Sequence, residues 1–197
     1  MGRRSGAERY ERLRRLADGD YAATAIRYGR RYLADYPEHG PAWLVVGRAL
    51  VGLARYEEAE QAFAKAIDLC PPDKRQYPFF QMGHLFRAAG DFDLAADWYR
   101  RAIAADPDDA TGLIFLGGML AKQGRFAEAE EIHRAATACG EGCIDEAFLN
   151  LGFVLRARGR FAEAADCFRE AIRLDPDYRA ARRALRDVEL CLKLDGT

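Results

Sequence analysis

The stretch "LGFVLRARGRFAEAADCFREAIRLDP", residues 151–176, carries the spacing that decides the fold. Gly152 is followed twelve residues later by Ala164. An aromatic residue, Phe168, stands four positions after that alanine, and Ala171 stands seven positions after it. Offsets of three, four and seven place side chains on one face of an α-helix. The stretch therefore predicts two amphipathic helices joined by a short turn.

The same spacing occurs four times along the chain. The four glycines are 36, 34 and 35 residues apart, and each is followed by an alanine, a ring-bearing residue and a second alanine. The four sets are Gly47/Ala59/Phe63/Ala66, Gly83/Ala95/Tyr99/Ala102, Gly117/Ala129/His133/Ala136 and Gly152/Ala164/Phe168/Ala171. A period of this length predicts a repeat protein, in which each helix pair buries its apolar face against its neighbours.

The predicted turns between the helices also follow a pattern. Three of the four copies carry a glycine there, in "RAAGDFDLA", "AKQGRFAEA" and "RARGRFAEA". Glycine at the end of a helix favours the left-handed backbone conformation that terminates it. The first copy departs from the pattern, because Ala54 occupies the place of the glycine.

These residues resemble the signature of the tetratricopeptide repeat, in which aromatic residues, a glycine, alanines and a closing proline recur at fixed spacing. The resemblance implies an all-α fold, a right-handed α-α superhelix (solenoid) of helix-turn-helix repeats. The third copy departs from the signature, with His133 at the aromatic position and Glu141 in place of the closing proline. The four units that match are residues 40–73, 76–109, 110–143 and 145–178.

The segments on either side of the four units (40–178) are predicted to be helical as well. Residues 1–39 are interpreted as an N-terminal tail and a degenerate helical pair, because "GDYAATAIRYGRRYLADYP" resembles the second half of a unit. Residues 179–197 are interpreted as a cap helix and tail. The cap helix carries one apolar stripe, formed by Ala181, Leu185, Val188 and Leu192. A polar outer face on such a helix suits the end of an open solenoid.

The resemblance implies a concave groove, lined by the first helix of each unit, that holds a peptide or a helix of a partner protein. By position in the repeat, the groove residues are Arg48, Tyr77, Phe80, Gln81, His84, Arg87, Phe115, Lys122, Asn150, Phe153 and Arg156. Aromatic side chains combined with basic ones favour a protein partner with acidic and large apolar residues. The arginines could equally be ordinary solvated helix positions, and that alternative stays open.

The composition argues against several other functions. With 30 basic and 31 acidic residues the formal net charge is −1, whereas nucleic-acid binding calls for a strongly positive surface. No nucleophile and no acid–base pair can be named, so we predict that the protein is not an enzyme and uses no cofactor. Acidic clusters such as "FAEAEE" are predicted to lie on solvated outer faces.

A second hypothesis is a self-assembling homo-oligomeric scaffold. Leu190 and Leu194 form a second apolar stripe on the predicted cap helix. Exposed apolar residues at the end of a solenoid can stack on another copy of the chain. The sequence thus leaves two readings of the function, an adaptor that holds a partner segment and a scaffold that assembles with itself.

The segment "AEEIHRAATACGEGC", residues 129–143, is the one place that suggests metal or redox chemistry. Zinc requires four close ligands, and here Cys139 and Cys143 lie near each other at a spacing longer than the usual pair. We therefore predict no metal. His133 is predicted to be a packed ring with a lowered pKa, and one of the two glycines of "CGEGC" is predicted to end the helix.

The remaining signals concern the cellular location. No run of about 18 apolar residues occurs, so no membrane span is predicted. The N-terminal stretch "MGRRSGAERYERL" lacks the apolar core of a secretory signal. The five cysteines are an odd number, which favours free thiols in a reducing compartment. These observations predict a cytoplasmic protein.

Overall fold

A computed structural model describes residues 5–195 of the chain. Within that range the secondary structure consists of eleven α-helices, one 3₁₀ turn at Pro72–Lys74 and no β-strand. The α-helices are α1 (Gly6–Asp18), α2 (Ala22–Asp35), α3 (Gly40–Gly52), α4 (Tyr56–Leu69), α5 (Gln76–Ala89), α6 (Phe92–Ala105), α7 (Ala110–Lys122), α8 (Phe126–Thr137), α9 (Ile144–Ala157), α10 (Phe161–Leu174) and α11 (Arg179–Asp195). The all-α class predicted from the sequence is confirmed.

The chain divides into two compact units, of which unit 1 ends at Ala105 and unit 2 begins at Asp106. Unit 1 contains helices α1 to α6, and unit 2 contains helices α7 to α11. None of the described helices is long and apolar enough to cross a lipid bilayer.

Polar side chains begin several of the helices. At α1, the Ser5 hydroxyl accepts a hydrogen bond from the Glu8 amide (3.3 Å), and the Glu8 carboxylate accepts one from the Ser5 amide (2.9 Å). This reciprocal pair satisfies two amides that a helix N-terminus otherwise leaves without partners. At α7, the Asp109 carboxylate accepts a hydrogen bond from the Thr111 amide at 2.9 Å.

The turns between paired helices adopt the left-handed backbone that the sequence predicts. Gly90, Gly124 and Gly159 have φ angles of +87°, +77° and +75°. Ala54 adopts the same conformation, with φ of +56°, although it carries a Cβ. A left-handed alanine costs about 1 kcal/mol relative to glycine, so the turn between α3 and α4 is strained where the three turns with glycine are relaxed.

In unit 1, glycines on the first helix of a pair (α3 or α5) make room for rings on the second helix of that pair (α4 or α6). A Cβ placed on Gly47 would lie 2.3 Å from the Phe63 ring, and one on Gly83 would lie 2.5 Å from the Tyr99 ring. Phe63 and Tyr99 are fully buried. Such contacts are possible only because glycine has no side chain, and they explain the fixed glycine-to-ring spacing in the sequence.

Unit 2 repeats this arrangement and adds the cap helix. A Cβ on Gly152 would lie 2.5 Å from the ring of Phe168, which is fully buried. On α11, Ala181 and Val188 are fully buried in the same apolar cluster, whereas Leu192 at the end of the predicted stripe is 37% exposed. The cap helix therefore covers the last helix pair mainly with its first three turns.

One acidic residue of unit 2 departs from its predicted environment. Glu130 on α8 is only 6% exposed, so the prediction of a solvated "FAEAEE" face is wrong at this position. Burial would raise the pKa of Glu130, but hydrogen bonds from Arg134 (2.8 Å) and Arg160 (2.7 Å) outweigh it and lower that pKa. Arg158 also donates to this carboxylate. Three guanidinium groups compensate for the desolvation of one buried charge.

Candidate functional site

In unit 1 a cleft of about 350 Å³ opens among the first helices α1, α3 and α5. Arg48 of α3 donates a hydrogen bond to Asp18 of α1 at 3.2 Å. It also approaches the hydroxyl of Tyr77 on α5 at 3.5 Å. We call this opening the unit 1 cleft; it is lined by Tyr10, Arg14, Asp18, Pro41, Leu44, Val45, Arg48 and Tyr77.

Of the predicted groove residues in unit 1, Arg48 and Tyr77 lie in this cleft. Phe80 lies in the core instead, where it is 6% exposed. His84 is half-buried, with Nδ1 3.0 Å from the hydroxyl of Tyr99. Burial, followed by the nearby charge of Arg87, lowers the pKa of His84 to about 4, so its ring is neutral at pH 7. Of the two remaining predicted residues on α5, Gln81 is half-buried and Arg87 is exposed.

In unit 2 a cleft of about 470 Å³ opens between α9 and α11. Arg156 of α9 donates a hydrogen bond to Asp187 of α11 at 2.8 Å. The guanidinium carbon of Arg156 lies 5.2 Å from the centre of the Phe153 ring, within the range of a cation–π contact. We call this opening the unit 2 cleft; it is lined by Phe153, Arg156, Ala180, Arg183, Ala184 and Asp187.

The other predicted groove residues of unit 2 lie outside the lining of this cleft. Asn150 is half-buried on α9, three residues before Phe153. Phe115 is half-buried on α7, and Lys122 is exposed at the last residue of α7. The structure thus brings Phe153 and Arg156 together with cap-helix residues, and it places the rest of the predicted set on neighbouring parts of the first helices.

The two clefts share one arrangement of charges. In each, an arginine from a repeat's first helix binds an aspartate from a terminal helix, and a second arginine stands four residues before that aspartate. The two sets are Arg14, Asp18 and Arg48 in unit 1 and Arg183, Asp187 and Arg156 in unit 2. The terminal-helix members were missed in the sequence. The stretches "RRLAD" and "RALRD" each have an arginine four residues before the aspartate, and this shared spacing could have revealed them.

The segment with two cysteines is a docked loop. Its Glu141 amide donates to the Asp108 carbonyl (3.0 Å), and the Glu141 carbonyl accepts from the Ala110 amide (3.0 Å). Helix α8 ends at Thr137, before the loop, so the prediction that a glycine of "CGEGC" ends this helix is wrong. Gly142 instead takes a left-handed φ of +90° in the approach to α9.

The cysteines of this loop are poorly suited to nucleophilic or metal chemistry. Burial, and then the charges of nearby aspartates and glutamates, raises the pKa values of Cys139 and Cys143. A raised pKa keeps the thiol protonated, whereas nucleophiles and metal ligands are thiolates. Among the residues that the structure describes, no group of three or more His, Cys, Asp or Glu side chains could hold a metal ion.

His133 is the packed ring that the sequence predicts. It is 1% exposed, and burial lowers its pKa to about 4. Its Nδ1 has no hydrogen-bond partner within residues 5–195. The histidine therefore fills apolar space and takes no part in either cleft.

The chain consists of repeated helix pairs, and in four of these pairs a ring on the second helix packs against a glycine on the first. This arrangement defines a helical-repeat protein. Family models described as tetratricopeptide repeat match residues 13–74, 80–142 and 145–178. These matches span most of the sequence, and the chain belongs to the tetratricopeptide repeat family.

Similarity to individual proteins is distant. The cytochrome c-type biogenesis protein CycH of Rhizobium meliloti (strain 1021) is 29% identical over 117 residues, which is 58% of this chain and 31% of CycH. The chain therefore spans about a third of that relative's length.

Solved structures show the fold. YrrB, described as a TPR protein with an unusual peptide-binding site, has a TM-score of 0.62 at 21% identity and is covered over 92% of both chains. The C-terminal part of a TPR repeat-containing protein from Cytophaga hutchinsonii has a TM-score of 0.76 at 16% identity, over 94% of this chain and 72% of that one. The predicted fold class, an all-α superhelical repeat, is confirmed.

Proposed function

We propose that this protein is a non-catalytic adaptor that holds a segment of a protein partner against its first helices. The partner segment carries acidic and large apolar residues. Membership of the tetratricopeptide repeat family supports a protein-interaction scaffold in general. Family proteins are generally non-catalytic scaffolds, and the unusual peptide-binding site for which the similar protein YrrB is described supports such a role here.

The observation that carries the proposal is the pairing of arginine with aromatic rings in both clefts. Arg48 lies between Tyr77 and Asp18 in the unit 1 cleft, and Arg156 lies over Phe153 in the unit 2 cleft. The few residues that dominate the binding energy of protein interfaces are enriched in Trp, Tyr and Arg. A guanidinium group beside a ring can bind a carboxylate while the ring contacts an apolar side chain.

The test uses a short fluorescein-labelled peptide in which glutamate alternates with phenylalanine and leucine, here called the acidic probe. The neutral probe has glutamine in place of glutamate. Fluorescence anisotropy should show tighter binding of the acidic probe, and the Arg48→Glu/Arg156→Glu double variant should weaken it about tenfold, since two charge contacts become repulsive. The matched control is Arg100→Glu/Arg169→Glu, which reverses two exposed arginines on second helices.

Circular dichroism should show the same helicity in all of these variants. Equal binding of the acidic probe by wild type and by the Arg48→Glu/Arg156→Glu variant would contradict the cleft assignment. Arg87→Glu, combined with Arg156→Glu, extends the test to the predicted groove residue at the end of α5.

A homo-oligomeric scaffold is the second candidate, supported by the outer side of the cap helix. Leu190 and Leu194 are 61% and 76% exposed on α11. Light scattering across a concentration series would show a rising mass if this surface assembles. The Leu190→Gln/Leu194→Gln variant should then stay monomeric, and a constant wild-type mass would exclude this candidate over the range tested.

We also propose that the protein works in the cytoplasm and does not bind nucleic acid. All five cysteines are free thiols, which suits a reducing compartment. The near-zero net charge gives no general attraction to a polyanion. Retention on DNA or RNA that falls steeply with salt would contradict this part of the proposal.

A further inference from the structure

We propose that Asp18 and Asp187 are built-in competitors of an acidic ligand. Each is bound to one arginine, in a cleft lined by a second, and takes the position that a carboxylate of the partner segment would take. This inference rests on the proposed function, because it concerns the charge specificity of the same two clefts.

In the unit 1 cleft the competitor comes from the last residue of α1. The Asp18 carboxylate lies 3.2 Å from the Arg48 guanidinium, and Arg14 lines the same cleft four residues earlier on α1. Arg14 also contacts Glu11 at 3.3 Å. The Asp18 and Arg48 side chains are 58% and 42% exposed, so water and a ligand both have access to the pair.

In the unit 2 cleft the competitor comes from the cap helix. The Asp187 carboxylate lies 2.8 Å from the Arg156 guanidinium, and Arg183 lines the cleft one helical turn earlier on α11. Within residues 5–195, Arg183 has no ion-pair partner. A carboxylate entering this cleft could contact both arginines, provided that Asp187 released Arg156.

The charge balance explains what the aspartates do. The lining of each cleft holds two arginines and one aspartate, which gives a net charge of +1. An incoming carboxylate must displace the aspartate from its arginine and is then repelled by it. Exposed ion pairs of this kind are worth up to about 1 kcal/mol, so each aspartate can be displaced but lowers the affinity for an acidic segment about threefold to fivefold.

The recurrence of this arrangement argues that it is more than an incidental surface pair. Asp18 follows an arginine by four residues on α1, and Asp187 does so on α11, although the two helices come from opposite ends of the chain. Each aspartate reaches across to the arginine of a repeat's first helix. Some other exposed pairs, such as Asp97 with Arg100, join neighbours on one helix, and others, such as Arg169 with Glu189, join two helices outside the clefts.

The experiment compares Asp18→Asn, Asp187→Asn and the double variant with wild type. Each single change should tighten binding of the acidic probe about threefold to fivefold, and the double change should tighten it further, because each cleft gains one net positive charge. Binding of the acidic probe should also become more sensitive to salt, and binding of the neutral probe should not change. The matched controls are Asp97→Asn and Asp166→Asn, which remove one carboxylate each from 2.8 Å ion pairs with Arg100 and Arg169 on second helices.

The inference and the proposed function fail in different ways. If Arg48→Glu and Arg156→Glu weaken binding while Asp18→Asn and Asp187→Asn bind no more tightly than the controls, the inference is overturned and the proposed function stands. If none of these variants changes binding of the acidic probe, both are overturned. Asp18→Ser and Asp187→Ser provide a second pair of variants that remove the carboxylate, and thermal melts confirm that each protein is folded.

Discussion

The imidazole ring of His133 occupies the space that a side chain on Gly117 would need. A Cβ placed on Gly117 would lie 2.6 Å from Cε1 of His133. Phe63 stands in the same relation to Gly47, with a corresponding distance of 2.3 Å. The histidine therefore fills a position built for an apolar ring, and its buried Nδ1 lacks a hydrogen-bond partner within residues 5–195.

Replacing His133 with phenylalanine is expected to stabilise the protein at pH 7. The change keeps a flat ring over Gly117 and removes a buried nitrogen that has no hydrogen bond, which is worth about 1–2 kcal/mol. Urea unfolding monitored by circular dichroism measures the difference. A variant that unfolds at lower urea at every pH, or zinc that raises the melting temperature of wild type alone, would instead indicate a chemical role for the histidine.

The same variant should lose part of the pH dependence of stability. Burial lowers the folded-state pKa of His133 from 6.5 to about 4, so the unfolded chain binds the proton more readily. Wild type should therefore keep its full stability above about pH 6.5 and lose roughly 3 kcal/mol as the pH falls toward 4. His84 has the same direction of shift in both proteins, so the difference between them reports on His133. Parallel pH profiles for the two proteins would contradict this assignment.

Two adjacent glycines on α7 give a matched test of the ring contact. Gly117→Ala is expected to destabilise the protein by about 1–3 kcal/mol, because the new Cβ meets the His133 ring. Gly118→Ala is expected to stabilise it by about 0.5–1 kcal/mol, because nothing lies within 4 Å of its Cβ and alanine favours a helix. Thermal unfolding of both variants measures the two changes in stability. If both variants were stabilised, or both destabilised, packing against His133 would be unimportant.

The ring-to-glycine contacts could be predicted from the sequence because they depend on spacing within one repeat. The burial of Glu130 could not, because Arg158 and Arg160 reach it from 28 and 30 residues away. The end of α8 was also misplaced. In that loop, main-chain hydrogen bonds with Asp108 and Ala110 determine the backbone path, and local glycine preferences do not reveal them.

An unfilled space in unit 1 supplies a fourth prediction. A cleft of about 530 Å³ opens beside Ala62, next to Trp43, Val46 and Leu50. Ala62 stands three residues after the repeat alanine Ala59, and the corresponding positions of the other units hold Trp98, Ile132 and Cys167. The cleft is therefore present where one repeat has the smallest side chain of the set.

Ala62→Ile is expected to stabilise the protein by about 1 kcal/mol, because the larger side chain buries apolar surface in that cleft. Ala59→Ile is the matched control and should destabilise the protein by about 1–3 kcal/mol, because Ala59 is fully buried and does not line this cleft. Urea unfolding of the two variants provides the comparison. Destabilisation by Ala62→Ile of similar size would mean that the cleft closes in solution.

The candidate site was only partly predictable. Arg48, Phe153 and Arg156 could be placed by their positions in the repeat, whereas Asp18 and Asp187 lie on terminal helices where the repeat pattern is weak or absent. Phe80 was expected in the groove but is buried, because helical periodicity does not distinguish the two sides of a helix that has neighbours on both.

The connection between α8 and α9 has a consequence for how the repeat varies in length. The spacing from Gly117 to Gly152 is 35 residues, and that from Gly47 to Gly83 is 36. The longer spacing is accommodated by the 3₁₀ turn at Pro72–Lys74, and the loop at residues 138–143 is held by main-chain hydrogen bonds. Insertions of one or two residues are thus absorbed between helix pairs, and every ring still meets its own glycine.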